Sequence, residues 1–361
     1  MDSSKIIAFI ENSFIQSLLV DPSITDISYN GDSIFYQHNL NGRLKSDINV
    51  GENEVRDFLR QIAFLCEKQF SFQNPILDVS AGKYRINAVH HSIARKQDEP
   101  VVNFAIRIAS SEPRITDENG FMPIELQELF KILLHSHCSL IIGGITGSGK
   151  TEFQKYLLRK LEDNQRVIII DNILELDQVR LSTNLDVNSW QVDDRNPGSN
   201  INALVRNALR SNPDWLIVAE ARGAEMLEVL NSALTGHPII TTIHALDVIS
   251  LPHRIGRMVM MNDKKMDLEG IQEDIRYHFH YYVYLKKEND DQTHEIRRFI
   301  SSIGVLDENG QMRVIYHREN NQHLYQKIPQ NRLKLLSFSD KDTHFYNAFV
   351  KEDGYEKDTA L

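Results

Sequence analysis

Gly143-Gly144-Ile145-Thr146-Gly147-Ser148-Gly149-Lys150-Thr151 decides the fold. The apolar run Ser139-Leu140-Ile141-Ile142 leads into it and the helix-favouring segment Glu152 to Glu162 leaves it, so the order is strand, glycine loop, helix. From Gly144 the residues fit G-x-x-x-x-G-K-[ST], the phosphate-binding P-loop. Its glycines let backbone N–H groups converge on phosphate oxygens while the helix N-terminus adds positive dipole. Lys150 then reaches the β and γ phosphates and Thr151 ligands Mg²⁺. The expected nucleotide contacts are therefore Gly144, Ile145, Thr146, Gly147, Ser148, Gly149, Lys150, Thr151 and Glu152.

A P-loop says only that a nucleotide binds; carboxylates downstream decide what happens to it. Asp214-Trp215-Leu216-Ile217-Val218-Ala219-Glu220 reads as a buried strand ending in an acid, the layout that brings a carboxylate to Mg²⁺ or its waters. Glu220 is thus the Walker B candidate and, with Thr151, the expected metal contact. Between the motifs, Asp171-Asn172-Ile173-Leu174-Glu175-Leu176 follows the strand Val167 to Ile170. It places carboxylates at the sheet's carboxyl edge, where open α/β sheets bind ligands. Glu175 is the first choice to orient attacking water and Asp171 the second. Thr235-Gly236-His237-Pro238-Ile239-Ile240-Thr241-Thr242-Ile243-His244 puts a histidine at each end of a strand. Thiols and carboxylates of a zinc site are missing nearby, so His237 and His244 are read as sensors of the γ-phosphate or partners of the glutamate.

The 361 residues suffice for two domains, and 41% hydrophobic with 25% charged residues is ordinary for a water-soluble chain. Apolar runs such as Ile6 to Ile10 and Trp215 to Ala219 stop at five residues, far short of the roughly 18 that span a bilayer. With no apolar leader after the single early lysine, a cytoplasmic location is expected. Cys66 and Cys138 lack metal spacing and are read as reduced, structural residues. A net charge of −10 argues against direct nucleic-acid binding.

Along the chain, Ile7, Ile10, Phe14 and Leu18 predict one amphipathic helix over Lys5 to Val20. Asn30-Gly31-Asp32 predicts a hairpin between strands at Ile24 to Tyr29 and Ser33 to Tyr36. A helix over Glu52 to Lys68 and strands at Tyr84 to Val89 and Val101 to Ile108 complete a small α+β domain, 1–112. Residues 113–122, polar with proline and glycine, read as a linker. Buried runs at Val167 to Ile170, Trp215 to Ala219 and Ile239 to Ile243, alternating with helices, predict an α/β domain with a parallel sheet over 123–304. The polar residues 305–361 read as a peripheral extension.

In order and spacing, the P-loop, the Glu175 segment, Pro213-Asp214 to Glu220-Ala221-Arg222-Gly223 and the box from Thr235-Gly236-His237 to Thr242-Ile243-His244 resemble the secretion ATPase superfamily. Its branches serve type II secretion, type IV secretion and type IV pili. Glu220-Ala221-Arg222-Gly223-Ala224-Glu225 is most similar to the VirB11 and CpaF (Tad pilus) branches. Ile24-Thr25-Asp26-Ile27-Ser28-Tyr29-Asn30-Gly31, Gly82-Lys83-Tyr84-Arg85-Ile86-Asn87-Ala88 and Ala105-Ile106-Arg107 agree with them. The resemblance implies a RecA-like P-loop NTPase domain behind the α+β domain, ATP and Mg²⁺ as ligands, and a hexameric cytoplasmic ring. That ring would dock on inner-membrane components of a secretion or pilus machine. It further implies that Arg85 and Arg107 reach the phosphates when the N-terminal domain closes, and it adds Arg222 to the catalytic set. The chain departs from the pattern at two places: Asp171-Asn172-Ile173 stands for the usual Glu-Asp-Thr and Ala219 for the usual glycine. Two alternatives stay open, an ATP-binding assembly platform with little turnover and a DNA-translocating motor of related core.

Overall fold

The computed structural model describes residues 3–110, 113–193, 196–263, 265–289, 295–351 and 356–357. The chain divides into two compact units, Met1–Glu112 with Glu288–Arg297, and Pro113–Lys287 with Arg298–Leu361. Ser111 and Glu112, at the expected boundary, lie outside the described residues.

The first unit is an antiparallel sheet with helices. Its strands are β1 (Ile24–Tyr29), β2 (Ile34–His38), β3 (Gly42–Lys45), β4 (Ile76–Ala81), β5 (Tyr84–Val89) and β6 (Asn103–Ile108), in the order β3-β2-β1-β6-β5-β4. The predicted β1–β2 hairpin forms, with Asn30 Oδ1 accepting from the N–H groups of Asp32 and Ser33. Gly31 sits there at φ +94°, where a Cβ would stand 2.7 Å from Val101. Only glycine fits without strain. Helix α1 (Ser3–Glu11) ends early, and a separate turn, Gln16–Leu19, follows it. The single helix expected over Lys5 to Val20 is broken because Asn12 Nδ2 bonds back to Ala8 O and Ser13 Oγ to Ile10 O, the backbone competition that makes these residues poor helix interiors. Helix α2 (Glu52–Leu65) buries Val55, Phe58, Leu59 and Ile62 on the sheet's core.

The second unit is built on one large sheet. Its elements are α3 (Ile124–His135), β7 (Leu140–Gly144), α4 (Lys150–Leu158), β8 (Arg166–Asp171), β9 (Asp186–Gln191), α5 (Ile201–Ala208), β10 (Trp215–Val218), α6 (Met226–Leu234), β11 (Ile239–Ile243), α7 (Leu251–Val259), α8 (Leu268–His278), β12 (Tyr281–Asn289), β13 (Ile296–Leu306), β14 (Met312–Glu319), β15 (Gln322–Tyr325) and α9 (Thr343–Phe349). The order is β9-β8-β10-β11-β7-β12-β13-β14-β15, with the short strand Glu356–Lys357 beyond. From β9 to β12 the neighbours are parallel. The apolar runs explain why: side chains alternate between two faces, and both are covered. Trp215 and Ile217 enter one core with Leu140, Ile142, Val167 and Ile169; Leu216 and Val218 enter the other with Ile141, Ile168 and Ile170. Each fully buried side chain of this size contributes about 1.5–3 kcal/mol.

Beyond residue 304 the structure corrects the expected peripheral extension. β14 and β15 continue the sheet antiparallel, and Tyr325, Phe345 and Phe349 lie in the first of those cores. Polar spacing hid this stretch because its strands bury only some of their residues and its helix inserts two aromatic rings. Cys66 and Cys138 are free and buried; burial pushes the Cys138 thiol up to about 12. Among the described residues no helix is long and apolar enough to cross a membrane.

Candidate active site

Register brings Asp171, Glu220 and His244 to one edge. Ile170 pairs with Val218, Val218 with Thr241, and Ile243 with Gly143, so the carboxyl ends of β8, β10, β11 and β7 form a row. The P-loop leaves that row from β7. Gly147 and Gly149 adopt φ +76° and +96°, the left-handed region open to glycine. A Cβ on Gly144 would stand 2.4 Å from Ser148 Oγ and 2.8 Å from Leu285 O, so the loop must fold tightly on itself. Ser148 Oγ is buried and has no hydrogen-bond partner among the described residues. Lys150 is 9% exposed, and its ammonium donates to Gly144 O (2.9 Å) and Ile145 O (3.1 Å). Burial brings it down to about 8, opposed by the negative charge of Glu220. Thr151 stands half-buried in the first turn of α4.

Glu220 follows β10. His244 Nε2, just past β11, lies 2.8 Å from its Oε1, and Arg222 Nη2 donates to its Oε2 at 2.9 Å. Burial works to raise the Glu220 pKa, but the Arg222 guanidinium, followed by His244 and Lys150, outweighs it and holds the carboxyl below the ordinary value. Two bonds knit the exits of β10 and β11, Thr242 Oγ1 to Ala219 O and Ala221 N to Thr242 O. His237 lies at the other, amino end of β11, where its Nδ1 meets Thr235 Oγ1 at 3.0 Å. Six residues, five of them strand, lie between the two histidines and set them roughly 20 Å apart. Only His244 shares an edge with Glu220.

Asp171 and Glu175 have different surroundings. Asp171 is 5% exposed and accepts from the N–H groups of Ile173 and Leu176, which shapes the loop that passes through left-handed Leu174. Burial raises its pKa against those bonds. Glu175 is drawn to Lys155 Nζ at 3.3 Å, and the same ammonium binds Glu152 Oε1 at 2.9 Å. Burial raises Glu175 as well, with Lys155 pulling it down. Glu152, expected at the nucleotide, shares the buried Lys155 with Glu175 in this structure. Lys155 escaped sequence reasoning, although a lysine amid Phe153, Tyr156, Leu157 and Leu158, all buried, is itself a signal that a carboxylate faces it. In the first unit, Arg85 and Arg107 sit opposite one another on β5 and β6. Both point out of the core as strand alternation requires, paired with Asp78 (3.2 Å) and Asp26 (3.3 Å).

Residues 95–343 match the family described as Type II/IV secretion system protein. An uncharacterized protein of Bacillus anthracis is 29% identical over 278 residues, 76% of this chain; the chain spans 61% of that protein's length. The type IV secretion system protein VirB11 of Bartonella quintana is 26% identical over 263 residues, 62% of this chain and 72% of VirB11. Among solved structures, the Legionella pneumophila ATPase DotB superposes with a TM-score of 0.62 at 20% identity, covering 82% of this chain and 80% of DotB. That likeness establishes a shared fold, a RecA-like domain preceded by a smaller α+β domain.

Proposed function

Because the chain belongs to the Type II/IV secretion system protein family, we propose that it is a hexameric, Mg²⁺-dependent ATPase. Its turnover drives a type IV secretion or conjugation system, or assembly of a Tad-like pilus. The observation that carries this reading is the edge where a buried Lys150 faces Glu220, itself held by His244 and Arg222.

The glycine cradle, the unpartnered Ser148 hydroxyl and the carboxylate at the strand tip suit a polyphosphate with its cation. Thr151 and Glu220 would hold Mg²⁺, which neutralises charge across the phosphates when bound. The protein's own part is positioning and charge stabilisation for attack of water on the γ-phosphate. Lys150 supplies positive charge at the β and γ phosphates. His244 fixes the rotamer of Glu220 and Arg222 keeps it ionised. Glu175 orients the water once it turns from Lys155, and Asp171 holds the loop that carries it. Arg85 and Arg107 neutralise charge on the γ-phosphate when the N-terminal domain lids the site. The protomers act at the inner face of the cell membrane, against membrane components of the machine.

Turnover by the purified hexamer tests this. Lys150→Ala should abolish it, whereas Glu220→Gln should retain ATP without hydrolysing it, because the amide keeps the shape and loses the charge. Near-native rates in Lys150→Ala would overturn the assignment. The engagement of Glu175 by Lys155 favours one second reading, an assembly platform that binds ATP and hardly turns it over. Wild-type turnover at background level would select it. DNA-stimulated turnover would instead support a DNA-translocating motor.

A further inference from the structure

The P-loop is flanked by cations from a part of the sheet that the nucleotide motif does not include. β7 ends at Gly144 opposite Leu285, and β12 continues within the same unit to Lys287, which passes alongside the loop. Lys287 is two residues beyond Leu285 and therefore on the same face of the sheet. A Cβ on Gly147 would stand 3.8 Å from Lys287 Nζ, and one on Gly149 would stand 3.7 Å from Arg298 Cδ. From β13, Arg298 Nε donates to Gly147 O at 2.8 Å.

This arrangement has a direction. Phosphate loops work by turning N–H groups inward, so each carbonyl must point elsewhere. Arg298 engages the Gly147 carbonyl with a charged donor, leaving it fixed on the β13 side. Both cations are half-buried. Burial, then the charge of Arg298, holds Lys287 below lysine's ordinary value; burial, then Arg114, does the same to Arg298. Lys287 thus stands beside the loop where solvent screening is reduced, and a polyanion there would stabilise its ammonium. We infer that Lys287 contacts the polyphosphate tail of the bound nucleotide and that Arg298 is a positioning residue holding the P-loop open to it. This rests on the reading of the P-loop as a nucleotide site.

Displacement of a fluorescent ATP analogue from the full chain by ATP, ADP, AMP and inorganic tripolyphosphate tests the inference. Unfolding temperature without nucleotide serves as the check on folding. Losing one charge-assisted contact should weaken ATP and tripolyphosphate by about tenfold or more in Lys287→Ala. AMP should be nearly unaffected, and Lys287→Arg should keep most of the affinity. Arg298→Ala should weaken ATP and ADP together, with partial recovery in Arg298→Lys. If Arg298→Ala fails to fold, the lysine variants decide. ATP affinity within about twofold of wild type in Lys287→Ala, while Lys150→Ala loses binding, would overturn the inference and leave the nucleotide site standing. Undiminished ATP binding in Lys150→Ala would instead overturn the nucleotide-site reading itself.

Discussion

At the scale of single residues, burial of Lys150 makes a pH-dependent statement. Its folded-state pKa is brought down to about 8, first by desolvation and against the pull of Glu220, whereas the unfolded chain holds the same proton to about 10.4. Between those values the unfolded state binds more protons, so stability from this group rises with pH across the window from 8 to about 10.4. Lys150→Met removes the titration. Wild type should therefore gain on that variant by about 1–3 kcal/mol between pH 7.5 and 10, read from urea unfolding at both pH values. A difference that stays constant would mean the ammonium is as well solvated folded as unfolded. This residue was legible from the motif alone, as was Glu220 from the acid that ends its strand. The His237 placement was not legible, because a sequence shows that two histidines flank a strand but not that only one end faces the loop.

Among the elements, α4 and the turn at Glu175–Leu181 are joined through Lys155, which is 1% exposed between Glu152 and Glu175. Lys155→Met leaves two half-buried carboxylates without the cation they share, which should cost roughly 1–3 kcal/mol at neutral pH. Without the ammonium, Glu175 rises further above its unfolded value, so the folded state keeps its proton more readily and the loss should shrink as pH falls toward 5. Denaturant titrations at pH 7 and 5 would show it; equal losses at both would mean that Lys155 acts by packing. Elements that bury one stripe or one full run were readable: α2, β8, β10 and β11 stand where periodicity put them. β3, β4 and β9 were missed: β3 and β9 are short or mostly exposed and are fixed by hydrogen bonds to a neighbour, while β4 alternates Leu77, Val79 and Ala81 inward on small or modest side chains that leave a weak signal.

For the whole molecule, the second unit has its C-terminal helix in the same core as the P-loop helix. Phe349 is fully buried and packs on Tyr325 with ring centroids 5.5 Å apart and on Phe345 at 5.8 Å. Phe349→Ala should lose about 3–5 kcal/mol by the cavity it leaves, whereas a peripheral residue would cost within about 0.5 kcal/mol. Calorimetry of the full chain separates the two. Polar composition concealed this because two aromatic anchors suffice to seat a short helix, and composition averages over them. One consequence follows from the place of β7, hydrogen-bonded to β11 on one side and β12 on the other. Amides of Leu140 to Ile142 can trade protons for deuterium only when the sheet's centre opens, so they should be among the slowest to exchange, with Gly147 and Gly149 far faster a few residues on.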